Sequence, residues 1–249
     1  MRQPDASPRV IAGRTASPKR HFLLGKNMQR HALAWAIAIG AISALFFASE
    51  IRAQDDSLPS SNTGPSKSAL LESGPRAIVS TFQDTLLATM KDAKSLGFEG
   101  RYRRLLPAMN LAFDFHRMTR VIVGQRWDSL DRSQQEQMVD LFRQFSVATY
   151  AAALSTYGSE KFEIGNSRIR VGIGTIIETS LVSVNEPPVQ LNYLLQSTPA
   201  GWRIVDVYLA GTISELARRR EEFGSVIHRQ GIDGLIALLK RKSDELSIN

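Results

Sequence analysis

The chain contains no cysteine, and of its four histidines only His116 and His228 lie beyond residue 53. The first absence excludes disulfides and thiol chemistry, so stability has to come from a packed core. The second removes the commonest metal ligand and proton shuttle from most of the chain. His116 and His228 are far apart in sequence, and neither has a ligand spacing such as His-x-x-x-His. No Gly-x-Ser-x-Gly elbow, phosphate loop or Cys–His pair occurs, and Gly172-x-Gly174 lacks the third glycine and following helix of a dinucleotide site. The carboxylates that come into question for acid–base work, Asp114, Glu178 and Asp206, each have a structural reading: a helix-junction cap, a solvent-facing side chain and a paired strand residue. No catalytic residue, metal site or cofactor is expected.

What is present begins with Arg30 to Ala53. Arg30 and His31 precede an apolar run, Ala32 to Ala48, and Ile51-Arg52-Ala53 places a small residue before the polar Gln54-Asp55-Asp56. That is the order of charge, apolar core and cleavage site of a secretory signal, so residues 1–53 read as a signal peptide and the mature chain begins near Gln54. The alternative is an inner-membrane anchor through residues 32–48, a run that approaches the length needed to span a bilayer. Residues 1–27 are long for a charged leader, and Met28 offers a second start. Removing the leader takes eight of 31 basic and two of 24 acidic residues, leaving 23 and 22. The mature chain is near neutral, and the case for nucleic-acid binding goes with the leader.

Residues 54–74, rich in Ser, Pro, Asp and Gly, read as a flexible linker to a single domain over 75–246. A first helix starts near Pro75, with Ile78, Val79, Phe82, Leu86, Leu87 and Met90 at three- and four-residue spacing and Gly97 and Gly100 after it. A second helical region, Tyr102 to about Val123, is interrupted at Pro107 and near Asp114 and ends at Gly124. The third is long and amphipathic: Asp131 caps it, Gln134 completes a capping box, and Met138, Leu141, Phe142 and Phe145 open its apolar stripe.

The pattern then changes to four strands, Phe162–Val171, Ile173–Val184, Val189–Gln196 and Trp202–Ala210, joined by turns short enough for antiparallel neighbours. A helix starts at Thr212 or Ser214, and Gly231 separates it from a final one, Ile232 to about Leu246. The class is α+β: N-terminal helices, a four-stranded antiparallel twisted sheet and two C-terminal helices. The last two strands carry apolar residues on both faces, so helices cover both, or helices cover one and a ligand cavity lies within.

Phe113-Asp114, Met118-Thr119-Arg120, Gly124, Trp127, Phe142, Phe145, Thr149-Tyr150, Leu154 and Tyr157 fall in an ordered series. It continues through Asn192-Tyr193, Gly201-Trp202-Arg203-Ile204-Val205-Asp206-Val207, Gly211 to Ser214, Arg220, Phe223 and Gly231 to Ile236. Over residues 75–245 the series resembles the MlaC-type (toluene-tolerance) periplasmic phospholipid carriers. Gly211 to Leu216 with Arg218-Arg219-Arg220 looks closest to their hopanoid-associated HpnM-type branch. Arg219 stands where the phospholipid carriers usually place a tyrosine before the family arginine, here Arg220.

The resemblance implies a periplasmic shuttle, not an enzyme, whose cargo is a phospholipid or hopanoid with its tails in an apolar pocket. It implies exchange with a membrane-anchored transporter, of RND type in the hopanoid branch or of MCE/ABC type. The elements carrying more apolar surface than one core face requires point to Phe142, Phe145 and Tyr150 of the long helix, with Met118 before it. From the sheet they point to Ile176, Leu191, Tyr193, Val205 and Val207. Asp206, flanked by apolar residues, calls for a cationic or amide partner, and Arg220 is expected to supply a structural pair. A non-catalytic envelope adaptor with a filled core and an envelope hydrolase are the alternatives.

Overall fold

The computed structural model describes residues 74–184 and 186–248. The leader assigned to residues 1–53, and the linker assigned to 54–74 except for Gly74, lie outside them. The elements run α1 (Pro75–Lys91), α2 (Ala93–Ala112), α3 (Phe115–Val123), a 3-10 turn (Gly124–Ser129), α4 (Arg132–Ala153), β1 (Lys161–Arg170), β2 (Gly174–Ser183), β3 (Glu186–Thr198), β4 (Gly201–Leu209), β5 (Ile213–Ser214) and α5 (Glu215–Ile248). The fold is α+β with one antiparallel sheet in the order β1-β2-β3-β4-β5. The sheet has five strands where four were expected. The fifth is two residues long and pairs only with Tyr208 and Leu209 at the end of β4, too little chain for an alternating pattern to register.

Local signals set the helix ends. Pro75 occupies the first turn of α1, where its missing N–H is no loss. Asp131 and Gln134 exchange both capping-box bonds at the start of α4. Asp114 accepts from the Arg117 amide at 2.9 Å and separates α2 from α3, the junction cap its position suggested. Pro107, expected to interrupt, stays inside α2, and the break falls at Gly97, in a left-handed conformation (φ 57°). Gly231 (φ 70°) breaks α5 in the same way, so the two expected closing helices meet there.

Helix α1 packs Ile78, Val79, Phe82, Leu86 and Met90 into a core that also takes residues of α2 to α5 and Ile177, Leu191, Tyr193, Leu195 and Ile204 of the sheet. Phe82 is its aromatic centre, edge-on to Phe113 at 5.1 Å, Tyr150 at 5.8 Å and Tyr193 at 6.3 Å. Three polar contacts fix the layers. Gln83, 2% exposed, donates to Thr179 Oγ1 at 3.0 Å and ties α1 to β2. Arg76 reaches the carbonyls of Ile164 and Gly165 at the irregular pairing between β1 and β2. Buried Arg101 donates to Ala151 O in the last turn of α4 and to Ala93 O beside the Gly97 break, giving partners to carbonyls near a helix end and a kink.

Phe82→Ala is expected to lower unfolding stability by about 3–5 kcal/mol, the range for deleting a fully buried aromatic ring. Urea unfolding followed by circular dichroism measures it.

Candidate functional site

A cavity of about 70 Å³, open to solvent, lies between α2, α3 and α4, the end of β4 and the first turns of α5. Met118 of α3, Phe142, Phe145 and Tyr150 of α4 and Val207 of β4 line it, five of the nine residues expected to. Met109, Phe113 and Phe115 complete the apolar wall. These three were missed because each sits at a helix end or junction, where no stripe of regular spacing singles it out. Ser146 and Thr149 also face the cavity, yet their hydroxyls donate to the Phe142 and Phe145 carbonyls one turn back at 2.7 and 2.8 Å. Those bonds leave α4 presenting a mainly apolar surface.

The remaining four expected wall residues lie elsewhere. Leu191 and Tyr193, each 1% exposed, belong to the packed core, Tyr193 through its contact with Phe82. Burial pushes the Tyr193 phenol up to about 12. Ile176 and Val205 form a separate small cluster with Leu194 and Tyr208 that contains no helix residue. The reason is register: Ile177, Tyr193 and Val207 pair across the sheet on the core side, so Ile176 and Leu194 point the other way. Val205 is the extra residue of a β-bulge, since Leu194 faces Asp206 and Leu195 faces Ile204.

Polar groups gather where β4 meets α5. Asp206, 6% exposed, accepts from the Val207 amide at 2.8 Å, the Leu216 amide at 3.0 Å and the Ser214 hydroxyl at 2.6 Å. Ser214 Oγ in turn accepts from the Ala217 amide at 2.9 Å, so one hydroxyl caps the helix and holds the carboxylate. Arg220 is exposed, and the expected pair with Asp206 is not among the bonds of the described residues. The Leu216 amide at the helix N-terminus, with the dipole behind it, joins the strand amide and the Ser214 hydroxyl in meeting the carboxylate in place of a cation.

The arginine that turns inward is Arg219, 7% exposed and one residue ahead of Arg220, which on a helix is a rotation of about 100°. Its guanidinium lies 5.0 Å from the Phe145 ring centroid and 5.8 Å from that of Phe223, and it bonds Glu222 at 2.9 Å. Burial lowers its pKa, and Glu222 opposes that shift. Asp206, Glu215 and Arg219 thus form the charged part of a mainly apolar cavity lining. Glu178, read as solvent-facing, is an ion-pair partner of Arg168 at 2.6 Å. His116 stacks edge-on to Trp127. Among the described residues, no three His, Asp or Glu side chains are grouped to hold a metal ion.

Burial raises the Asp206 pKa more than its three hydrogen bonds lower it. The native state therefore binds this proton more tightly than the unfolded chain, and the stability due to this group falls as pH rises from about 4 to the raised native value, then levels off. The excess stability of the wild type over Asp206→Asn is expected to shrink across that window in urea unfolding at a series of pH values; an excess that grows with pH would contradict it. Ser214→Ala removes a cap and a carboxylate donor and is expected to cost about 1–2 kcal/mol in the same assay.

Known proteins share this fold. The profile of the MlaC protein family matches residues 80–241. The intermembrane phospholipid transport system binding protein MlaC of Haemophilus influenzae is 22% identical over 191 residues, which span 72% of this chain and 86% of that protein. A phospholipid-binding protein from Ralstonia solanacearum, solved in complex with a phospholipid, superposes with a TM-score of 0.62 at 24% identity, covering 70% of this chain and 99% of that one. The last likeness establishes a common fold, and the family profile spans most of the domain: the chain belongs to the MlaC family.

Proposed function

We propose that this protein is a periplasmic lipid carrier, not an enzyme, that holds the tails of a phospholipid or hopanoid in the cavity and leaves the head group at its rim. The carrying observation is an open, mainly apolar cavity walled by Met118, Phe142, Phe145, Tyr150 and Val207, with Asp206, Glu215 and Arg219 as the charged part of its lining. The phospholipid-binding names of the Haemophilus and Ralstonia proteins support the same reading. The lining carries one buried cation, Arg219, together with the carboxylates of Asp206 and Glu215, which suits a zwitterionic or phosphate-bearing head group.

Size and energy constrain how such a carrier works. Two sixteen-carbon tails occupy on the order of 900 Å³, near the top of ordinary pocket sizes. The cavity is far smaller, at about 70 Å³, so admitting the tails requires α5 and the helices facing it to separate. Burying both tails is worth about 20 kcal/mol relative to water at roughly 0.8 kcal/mol per methylene. Release into water is then negligible, and delivery needs a docked, membrane-anchored transporter, of RND or MCE/ABC type, that offers another apolar path.

Export rests on the Ile51-Arg52-Ala53 cleavage site. N-terminal sequencing of envelope fractions is expected to find chains starting near Gln54; chains retaining residues upstream of Arg52 in the membrane would identify an anchor instead.

Organic extraction and mass spectrometry of protein purified from the envelope is expected to yield stoichiometric lipid. Ser146→Phe, which fills the cavity from α4, is expected to lower occupancy at least tenfold with the fold intact. Val205→Ala, on the other side of the sheet, is expected to leave occupancy unchanged while lowering stability by about 1–3 kcal/mol. Absence of lipid from the wild type would favour an adaptor with a filled core.

A further inference from the structure

The two most exposed apolar side chains of the sheet and a third beside them lie at one place, the tip of the β1–β2 hairpin. Ile169 is 81% exposed, Val171 95% and Ile173 43%, within five consecutive residues. Ile169 pairs with Thr175, which pairs in turn with the core residue Leu195, so Ile169 lies on the helix-covered side of the sheet but beyond the reach of the helices. Scattered surface isoleucines call for no explanation; a β-branched cluster at a projecting tip does.

The charge around the tip has one sign. Residues 164–177 and 187–205, which contain the β1–β2 tip and the β3–β4 turn at the same end of the sheet, hold Arg168, Arg170 and Arg203 and no Asp or Glu. Arg168 is paired with Glu178 from farther along β2, which leaves Arg170 and Arg203 as the uncompensated charge there. Arg203 spends one N–H on the Trp202 carbonyl, and Arg170 lies near the Tyr208 phenol. Near-neutral overall, the domain thus has a cationic, apolar-tipped end that shares no residue with the cavity.

We propose that this end of the sheet is a membrane-docking tip, in which Ile169, Val171 and Ile173 enter the interfacial region of an anionic bilayer while Arg170 and Arg203 meet lipid phosphates. A bilayer suits it better than a protein partner. A hairpin tip falls short of the roughly 800 Å² per partner of a stable protein interface, whereas interfacial insertion needs a few apolar side chains at a depth of about 5–10 Å with basic residues beside them. Gly172, in a left-handed conformation (φ 74°), lets the two apolar flanks turn back on each other without a side chain at the apex. Docking there would orient the carrier on a bilayer, a role additional to holding cargo and independent of what the cavity holds.

The chain has no cysteine, so Val171→Cys gives a single labelling position for an environment-sensitive fluorophore. Tyr157→Cys, exposed in the loop between α4 and β1, serves as the reference position. The labelled full chain is mixed with phosphatidylcholine vesicles and with phosphatidylcholine–phosphatidylglycerol vesicles, with and without a headgroup-region quencher. The label at position 171 is expected to shift to the blue and to be quenched only with phosphatidylglycerol present, while the label at 157 stays unchanged. Arg170→Gln is expected to raise the lipid concentration needed at least threefold, and added salt to raise it further. An unresponsive label at 171, an equal response at 157, or binding indifferent to Arg170 and to salt would overturn the proposal. Because the readout is the position of the tip, each result stands whether or not the protein carries extractable lipid.

Discussion

The architecture around the cavity depends on a buried carboxylate. Asp206 sits just after the β4 bulge and takes donors from its own strand, from the two-residue β5 and from the first turn of α5. A desolvated carboxylate is costly unless each oxygen finds donors, and the amides of a helix start are the donors least dependent on side-chain entropy. Satisfying it fixes where α5 leaves the sheet. That in turn places Leu216 and Arg219 against Phe145, which closes one side of the cavity. Without this junction, a 34-residue helix joined to a strand by a few residues would have many ways to lie on the sheet.

Aromatic residues divide the labour on either side of that junction. Phe82, Phe113, Tyr150 and Tyr193 interlock edge to face and hold α1 and α4 against β3. Phe115, Phe142 and Phe145 continue the array into the cavity lining, where packing gives way to open volume. Phe113 and Tyr150 take part in both regions, so the rigidity of the core reaches the cavity wall directly. A wall of this kind resists collapse on one side, while α5, broken at Gly231, closes the other.

The sheet faces two ways for different reasons. Its core side is set by the alternation that puts Ile177, Tyr193 and Val207 under the helices. Its other side carries only the small Ile176, Leu194 and Val205 cluster with Tyr208. The hairpin tip belongs to neither, because β1 and β2 run past the last helix that could cover them. Apolar residues there contribute nothing to the core, which makes an external role the economical account of them.

Periodicity and caps made most of the secondary structure legible: the Asp131–Gln134 box, the stripe of α1 and the antiparallel run of strands are local features, each written within a few residues. The series of matched positions from Phe113 to Ile236 pointed to the family. Four of the five wall residues named in advance lie on α4 and β4, which have more apolar surface than one face of packing uses. The rest required tertiary structure. The bulge at Val205 changes which β4 residues face inward, and no composition or spacing announces an inserted residue. Likewise the partners of Asp206 include backbone amides, which every sequence contains everywhere, and only the arrival of a helix start beside the strand adds that of Leu216 to the neighbouring amide of Val207. A run of three arginines says that one can point inward; the 100° step per residue, applied to a helix whose axis Asp206 has fixed, decides that it is Arg219.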